Sequence, residues 1–245
     1  MCGIAGYVGA RLPERHRIDA CLALMGRRGP DHVAFRTWTP APDRQVLLLH
    51  SRLGIVDLNP RANQPMRVGA KWIAANAELY NYRELRGELE AAGRTFTTVS
   101  DVETLLHAVD EWGWAVLDRC EGMWAFAVYD EAEDALVLGR DRFGEKPLLL
   151  HRDSGSLYFG SELKFITALA GRRPAPNMTQ VRRYLVNGFR SLYKSGETFH
   201  EAVEELRPDR DDLGAQSGTP ARIKRRSATF VARPARRSSV TMPSL

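Results

Sequence analysis

Two short turns limit what this chain can fold into. The apolar runs Met123–Tyr129 and Ala135–Arg140 are separated only by Asp130–Asp134, and Pro147–His151 and Leu157–Gly160 by a polar turn around Asp153–Gly155. Parallel strands need a crossover of a dozen or more residues, so connections this short force antiparallel hairpins. Further strands are expected at Cys2–Val8, Gln45–His50 and Lys71–Asn76, which are rich in aliphatic and aromatic residues. Between and after them the spacing turns helical: Ile18, Leu22 and Met25, then Leu79, Tyr82, Leu85 and Leu89 closed by Gly93. Ser100-Asp101-Val102-Glu103 has the pattern of a capping box ahead of Leu105, Leu106 and Val109, and two more helices are expected over Glu162–Ala170 and Thr179–Val186. Two groups of strands with helices between and after them predict an α+β layered domain.

At 245 residues and 44% hydrophobic, the chain is long enough to bury a full core. Its formal charge of +5 is local. Residues 207–245 hold nine Lys/Arg against three Asp/Glu, which leaves 26 basic and 27 acidic residues on 1–206. The body is thus near neutral and carries no nucleic-acid footprint. From about Arg207 the chain is mostly Arg, Ala, Ser, Pro, Gly and Thr. Such a stretch buries too little apolar surface to offset its ordering entropy, so 207–245 is expected to be a disordered basic tail. Its clusters 222–226 and 233–237 are the one place where nucleic acid or an acidic surface could bind. Cys2, Cys21 and Cys120 are an odd number without C-x-x-C spacing, which argues against a disulfide framework and a zinc site and suits a reducing cytoplasm. The N-terminus lacks the basic and apolar regions of a signal peptide, and no apolar run approaches membrane-spanning length.

Cys2 stands directly behind the initiator methionine. A side chain this small permits removal of Met1, which would leave one residue with both a thiol and an α-amine of reference pKa about 7.7–8.0. A nucleophile needs a base close by, and a terminal amine supplies one from the same residue.

Five stretches join Cys2: Arg28-Gly29-Pro30-Asp31; His50-Ser51-Arg52-Leu53 with Gln64-Pro65-Met66; Asn76-Ala77-Glu78-Leu79-Tyr80-Asn81; Ser100-Asp101-Val102-Glu103; and Arg140–Leu148. In this order they resemble the glutaminase domain of glutamine-hydrolysing asparagine synthetases, which are class II (N-terminal nucleophile) glutamine amidotransferases. The run Arg52–Leu58 resembles the asparagine-synthetase branch, and the resemblance covers residues 2–206.

That resemblance implies a four-layer αββα sandwich of antiparallel sheets and a pocket for glutamine. Glutamine is a zwitterion with a primary amide. Its pocket needs a cation for the carboxylate, an anion for the ammonium, and donors for the amide oxygen as it becomes negative. By the resemblance, Cys2 is the nucleophile, and Asn76 with the backbone N–H of Ala77 forms the oxyanion hole. Arg52 grips the α-carboxylate through two parallel bonds. Asp101, with Glu78 nearby, receives the α-ammonium, and Ile55 and Val56 complete the substrate pocket. Cys21 and Cys120 are expected to be inert buried residues, and His50 a hydrogen-bonding residue at a strand end. Arg140–Leu148 is expected to be a strand-turn-strand element whose charges face solvent, pair with one another, or contact a separate synthetase subunit.

The family has glycine where this chain has Ala77. If that position required positive φ, the Cβ would add strain of roughly 1–2 kcal/mol and weaken turnover, and the methyl could crowd the substrate amide. The alternative reading is a catalytically impaired or truncated glutamine-binding module without synthetase activity. The chain holds no Ser-Gly-Gly-x-Asp-Ser loop, the ATP-pyrophosphatase signature of the synthetase half. ATP and Mg are therefore expected to belong to a domain outside these 245 residues. No cofactor is expected for the glutaminase half, a homodimer is possible, and this polypeptide alone is not expected to make asparagine. The abrupt change near Arg207 is expected to mark an out-of-frame or rearranged end of a longer gene.

Overall fold

The computed structural model describes residues 1–188 and 196–207 and the backbone of 228–232. The basic clusters 222–226 and 233–237 lie outside the described residues.

One sheet contains β1 (Gly3–Gly9), β2 (His32–Ala41), β3 (Arg44–Arg52), β8 (Leu149–Asp153), β9 (Ser156–Gly160) and β10 (Val203–Glu205), in the order β10-β8-β9-β1-β3-β2. The other contains β4 (Met66–Val68), β5 (Lys71–Leu79), β6 (Gly122–Asp130), β7 (Ala135–Arg140) and β11 (Ala228–Ala232), in the order β11-β7-β6-β5-β4. These strands pair antiparallel throughout, including the β6–β7 and β8–β9 hairpins that the tight turns required. The helices are α1 (Arg15–Gly26), α2 (Tyr82–Ala91), α3 (Asp101–Trp112), α4 (Leu163–Ala170) and α5 (Met178–Asn187).

Three cores bind these elements into four layers. Between the sheets lie Ile4, Val8, Val46, Leu48, Trp72, Ala74, Ala125, Ala127 and Phe159. The opposite faces of the same strands pack on helices: Ala5, Tyr7, Leu47 and Leu49 against α1 and α4, and Ile73, Ala75, Phe126 and Val128 against α2 and α3. A strand covered on both faces has no polar side to show, which is why β1 is buried at every position. No helix among the described residues is long and apolar enough to cross a membrane.

Several expectations need correction. Leu79 was expected to open a helix, but it ends β5, and the helix starts at Tyr82. β5 reaches past Asn76 because Ala77, Glu78 and Leu79 continue the pairing with Trp124, Met123 and Gly122. The strand expected over Pro147–His151 runs from Leu149 to Asp153. β2 and β4 were not anticipated: β2 is a half-exposed edge strand with mixed polarity, and β4 has three residues. The capping box forms by half. Ser100 Oγ accepts the Val102 N–H at 3.1 Å, whereas Glu103 turns away to accept from Thr97 and Thr98. Within the segment expected to be a disordered tail, Ala228–Ala232 pairs with β7 as an edge strand. Its run Ala-Thr-Phe-Val-Ala suits a strand, and the outer edge of β7 offers unpaired backbone groups to complete.

Candidate active site

Strand periodicity assembles the site. Ile4, Leu48 and Ala74 point into the core between the sheets. Counting by two from them carries Cys2, Arg52, Asn76 and Glu78 onto the same inter-sheet side, at the end where the apolar core stops. The pairing of Gly3 with Ser51 makes Cys2 and Arg52 the next opposed pair. Here a solvent-open cleft holds about 530 Å³ of empty space. Cys2, Arg52, Ile55, Val56, Asn76, Ala77, Glu78 and Asp101, all eight residues singled out from sequence, line it.

Cys2 is anchored through its backbone. Arg28 Nε donates to the Cys2 carbonyl at 2.6 Å, and Arg28 Nη1 pairs with Glu162 at 3.0 Å. A Cβ on Gly29 would lie 2.6 Å from the Ser51 carbonyl, so only glycine lets this strap run so close under β3. Asp31 continues the strap: its N–H donates to the Arg52 carbonyl, and its Oδ2 accepts the Gly54 N–H at 2.7 Å. The Cys2 thiol donates to the Leu53 carbonyl at 3.6 Å, and Sγ accepts the Leu53 N–H at 3.4 Å. Burial pushes this thiol up from its ordinary pKa, partly opposed by the Leu53 N–H. Met1 stands at the cleft, with its ammonium donating to the Arg28 carbonyl at 3.3 Å. Cys21 and Cys120 lie buried elsewhere, each thiol pushed up to about 12 by burial, in line with an inert role.

Arg52 is buried and its Nη1 is committed, donating to the Asn59 carbonyl at 3.0 Å and to Asn63 Oδ1 at 2.8 Å. Its Nε and Nη2 have no hydrogen-bond acceptor among the described residues, so one edge of the guanidinium fork is unpartnered. Asp57 holds the loop bearing Ile55 and Val56. Its two oxygens accept the N–H groups of Asn59 and Val99, each at 2.9 Å, and these bonds hold the carboxyl below its usual range.

The edge of β5 supplies the donors. Gln64 Oε1 accepts the Ala75 N–H at 2.6 Å, and Asp101 Oδ2 accepts the Leu79 N–H at 3.0 Å. Both N–H groups point away from β6, and the two-residue repeat sends the intervening Ala77 N–H the same way, toward the cleft. Asn76 is 3% exposed, yet its Nδ2 has no hydrogen-bond partner. Asn76 Nδ2 and the Ala77 N–H are thus two donors on adjacent residues that line the cleft. Ala77 sits in extended strand and is not among the positive-φ residues, so the strain considered for it does not arise.

Asp101 sits at the start of α3 with Oδ1 on the Val102 N–H at 3.0 Å. Burial raises its pKa, while its backbone hydrogen bonds act in the opposite direction. Glu78 has Oε1 occupied by Lys146 Nζ at 2.9 Å. That contact corrects the view of Arg140–Leu148 as a solvent-facing element. Arg140, Asp141 and Lys146 are all buried; Arg140 pairs with Glu205, and Lys146 with Glu78.

His50, expected at a strand end, is fully buried within β3, and its Nε2 donates to the Ala75 carbonyl at 3.0 Å. Burial pushes its pKa down to about 3, which leaves it neutral. Gln64, Asp57, Leu53 and Lys146 were not singled out as site residues. Gln64 and Lys146 lie inside motifs already recognised, but only their partners across the fold show what they hold.

A family model described as a glutamine amidotransferase domain matches residues 1–220. The chain belongs to the glutamine amidotransferase domain family. This amidotransferase domain is 34% identical to asparagine synthetase [glutamine-hydrolyzing] 3 of Bacillus subtilis over 85% of this chain and 34% of that protein. It is 42% identical to asparagine synthetase B [glutamine-hydrolyzing] of Escherichia coli over 67% of this chain and 29% of that protein. The chain thus spans about a third of the length of the relatives it matches. Among solved structures it is similar to glutamine phosphoribosylpyrophosphate amidotransferase from B. subtilis complexed with ADP and GMP. That match has a TM-score of 0.59 and 18% identity over 71% of this chain and 45% of that one. A structure of the allosteric regulatory enzyme of purine biosynthesis matches with a TM-score of 0.56 and 20% identity, over 69% and 43%. At these identities the likeness is one of fold alone.

Proposed function

We propose that this amidotransferase domain hydrolyses glutamine to glutamate and ammonia, with Cys2 as nucleophile once Met1 is removed. The observation that supports this most directly is the buried, unpartnered Nδ2 of Asn76 in the cleft that also holds the Cys2 thiol. An unsatisfied donor at 3% exposure is costly unless something accepts from it, and the oxygen of a reacting amide is suited to that.

Glutamine binds with its α-carboxylate on the free edge of Arg52 and its α-ammonium on Asp101 and Glu78. The freed α-amine of Cys2 takes the thiol proton, and sulfur attacks the side-chain amide carbon. The oxygen, now negative, accepts from Asn76 Nδ2 and the Ala77 N–H. The C–N bond then breaks as the protonated amine gives its proton to the leaving nitrogen, which departs as ammonia. A γ-glutamyl thioester remains. Water adds to it, the C–S bond breaks, and glutamate leaves with the thiol restored. These steps call on no metal or organic cofactor.

We further propose that the ammonia serves an asparagine-synthetase-like acceptor reaction, in keeping with the relatives' names. ATP and Mg would be used by synthetase machinery outside these residues, on a separate subunit or elsewhere in a longer protein. The test is intact-mass analysis of the purified protein followed by glutamate release on the same sample. Loss of Met1 with glutamate formed, and no glutamate from Cys2→Ala, is the expected result. Undiminished release from Cys2→Ala would refute the mechanism.

A further inference from the structure

Lys146 has no role in the steps above, yet the fold builds a rigid support for it. Asp141, fully buried, accepts the N–H groups of Phe143, Glu145 and Lys146 at 2.9–3.0 Å. Arg140 clasps the same loop from its other side, with Nε on the Lys146 carbonyl at 2.8 Å and Nη2 on the Gly144 carbonyl at 2.6 Å. Arg140 Nη1 fastens the loop to the Leu206 carbonyl at 2.9 Å. The loop therefore holds the Lys146 backbone from both faces.

Lys146 is 3% exposed, and lysine is almost never buried this deeply without a paired charge. Its Nζ contacts Glu78 Oε1 at 2.9 Å. Glu78 itself lines the cleft, with a side chain 39% exposed, and Oε2 has no partner among the described residues. A half-exposed glutamate left alone would rotate freely into water. Fixed through one oxygen, it presents the other in one place.

We infer that Lys146 is a positioning residue for the substrate: its buried ammonium holds Oε1 of Glu78 so that Oε2 stays turned toward the α-ammonium of glutamine. This rests on the glutaminase function proposed above. It also makes the Arg140–Leu148 loop a part of substrate recognition, through a residue that need not touch substrate itself.

The experiment is a double-mutant cycle in the full chain, with glutamate release measured across glutamine concentrations. Lys146→Met is expected to raise KM about tenfold while kcat stays within about threefold. In a Glu78→Gln background, where the ion pair is already gone, adding Lys146→Met is expected to change KM less than about twofold. An equal rise in both backgrounds would assign Lys146 a merely structural role and overturn the inference, as would an unchanged KM in folded Lys146→Met. If Lys146→Met does not fold, Lys146→Gln takes its place in the cycle, and Lys146→Arg is expected to keep KM within about threefold of the unmodified chain. Glutamine-dependent thermal shift in a Cys2→Ala background separates this claim from the function it rests on. Glutamine binding there that is weakened by Lys146→Met supports the inference, and binding that is indifferent to it refutes the inference alone. No glutamine binding with Lys146 in place overturns both.

Discussion

Gln64 and His50 grip the same residue from two elements: Gln64 Oε1 accepts the Ala75 N–H at 2.6 Å, and His50 Nε2 donates to the Ala75 carbonyl at 3.0 Å. Beyond Ile73, β5 has no β4 neighbour, so these side chains replace the missing strand at its edge. Ala75 immediately precedes Asn76, and the clamp thereby sets where the Asn76 amide and the Ala77 N–H point.

Removing one side of that clamp should be felt in both stability and turnover. Gln64→Leu leaves the Ala75 N–H buried and unpaired, at a cost of about 1–3 kcal/mol. Urea unfolding is expected to show that loss, and kcat to fall more than KM rises because the displaced donors are the proposed oxyanion hole.

Asn76→Ala deletes the unpartnered amide. A lost oxyanion donor typically costs on the order of 10²–10³ in kcat, and the drop here is expected in that range with KM little changed. Steady-state glutamate release reads it directly. A fall confined to KM would place Asn76 in ground-state binding instead.

Ala77→Gly restores the residue expected by resemblance, and it should gain nothing. Ala77 lies in extended strand with no positive φ to relieve. The exchange is expected to leave kcat within about threefold and to destabilise the strand by roughly 0.5–1 kcal/mol through added backbone freedom. A large rise in kcat would show that the Ala77 methyl crowds the substrate.

Glu103 gives a pH signature separate from the cleft. Burial acts to raise its carboxyl, but hydrogen bonds from the N–H and hydroxyl groups of Thr98 and Thr97 outweigh it and hold the pKa below 4.5. A carboxyl depressed on folding adds stability above its unfolded pKa and loses it as pH falls through the folded one. Urea midpoints are expected to drop below about pH 4.5, the unfolded reference. Glu103→Gln should lower stability at pH 7 by about 1–3 kcal/mol and flatten the acid dependence.

Much of the fold was legible because tight turns and strand periods are local properties. Asp130–Asp134 requires a hairpin whatever surrounds it, and Val128 and Val137 indeed pair across it. What escaped was set by neighbours distant in sequence. Leu79 fits a helical stripe with Tyr82, Leu85 and Leu89, but Gly122 pairs with it and Asp101 accepts its N–H, so it ends a strand. β2 was invisible because an edge strand need not be uniformly apolar, and Ala228–Ala232 because its composition was averaged with that of its surroundings.

The same division runs through the site. Residue order alone carries the chemistry on offer: a cysteine at position 2, a guanidinium, carboxylates and an amide, in an order that resembles one family of amidotransferases. Residue types and their order are inherited along the chain and need no fold to be read. Which atoms remain free depends on the folded packing. Arg52 gives Nη1 to Asn59 and Asn63, Glu78 gives Oε1 to Lys146, and Asn76 Nδ2 has no partner. A hydrogen-bonding group is spent by whatever packs against it. Here the spending partners come mostly from other loops and strands, up to 68 residues away, a distance over which sequence pattern carries no geometry.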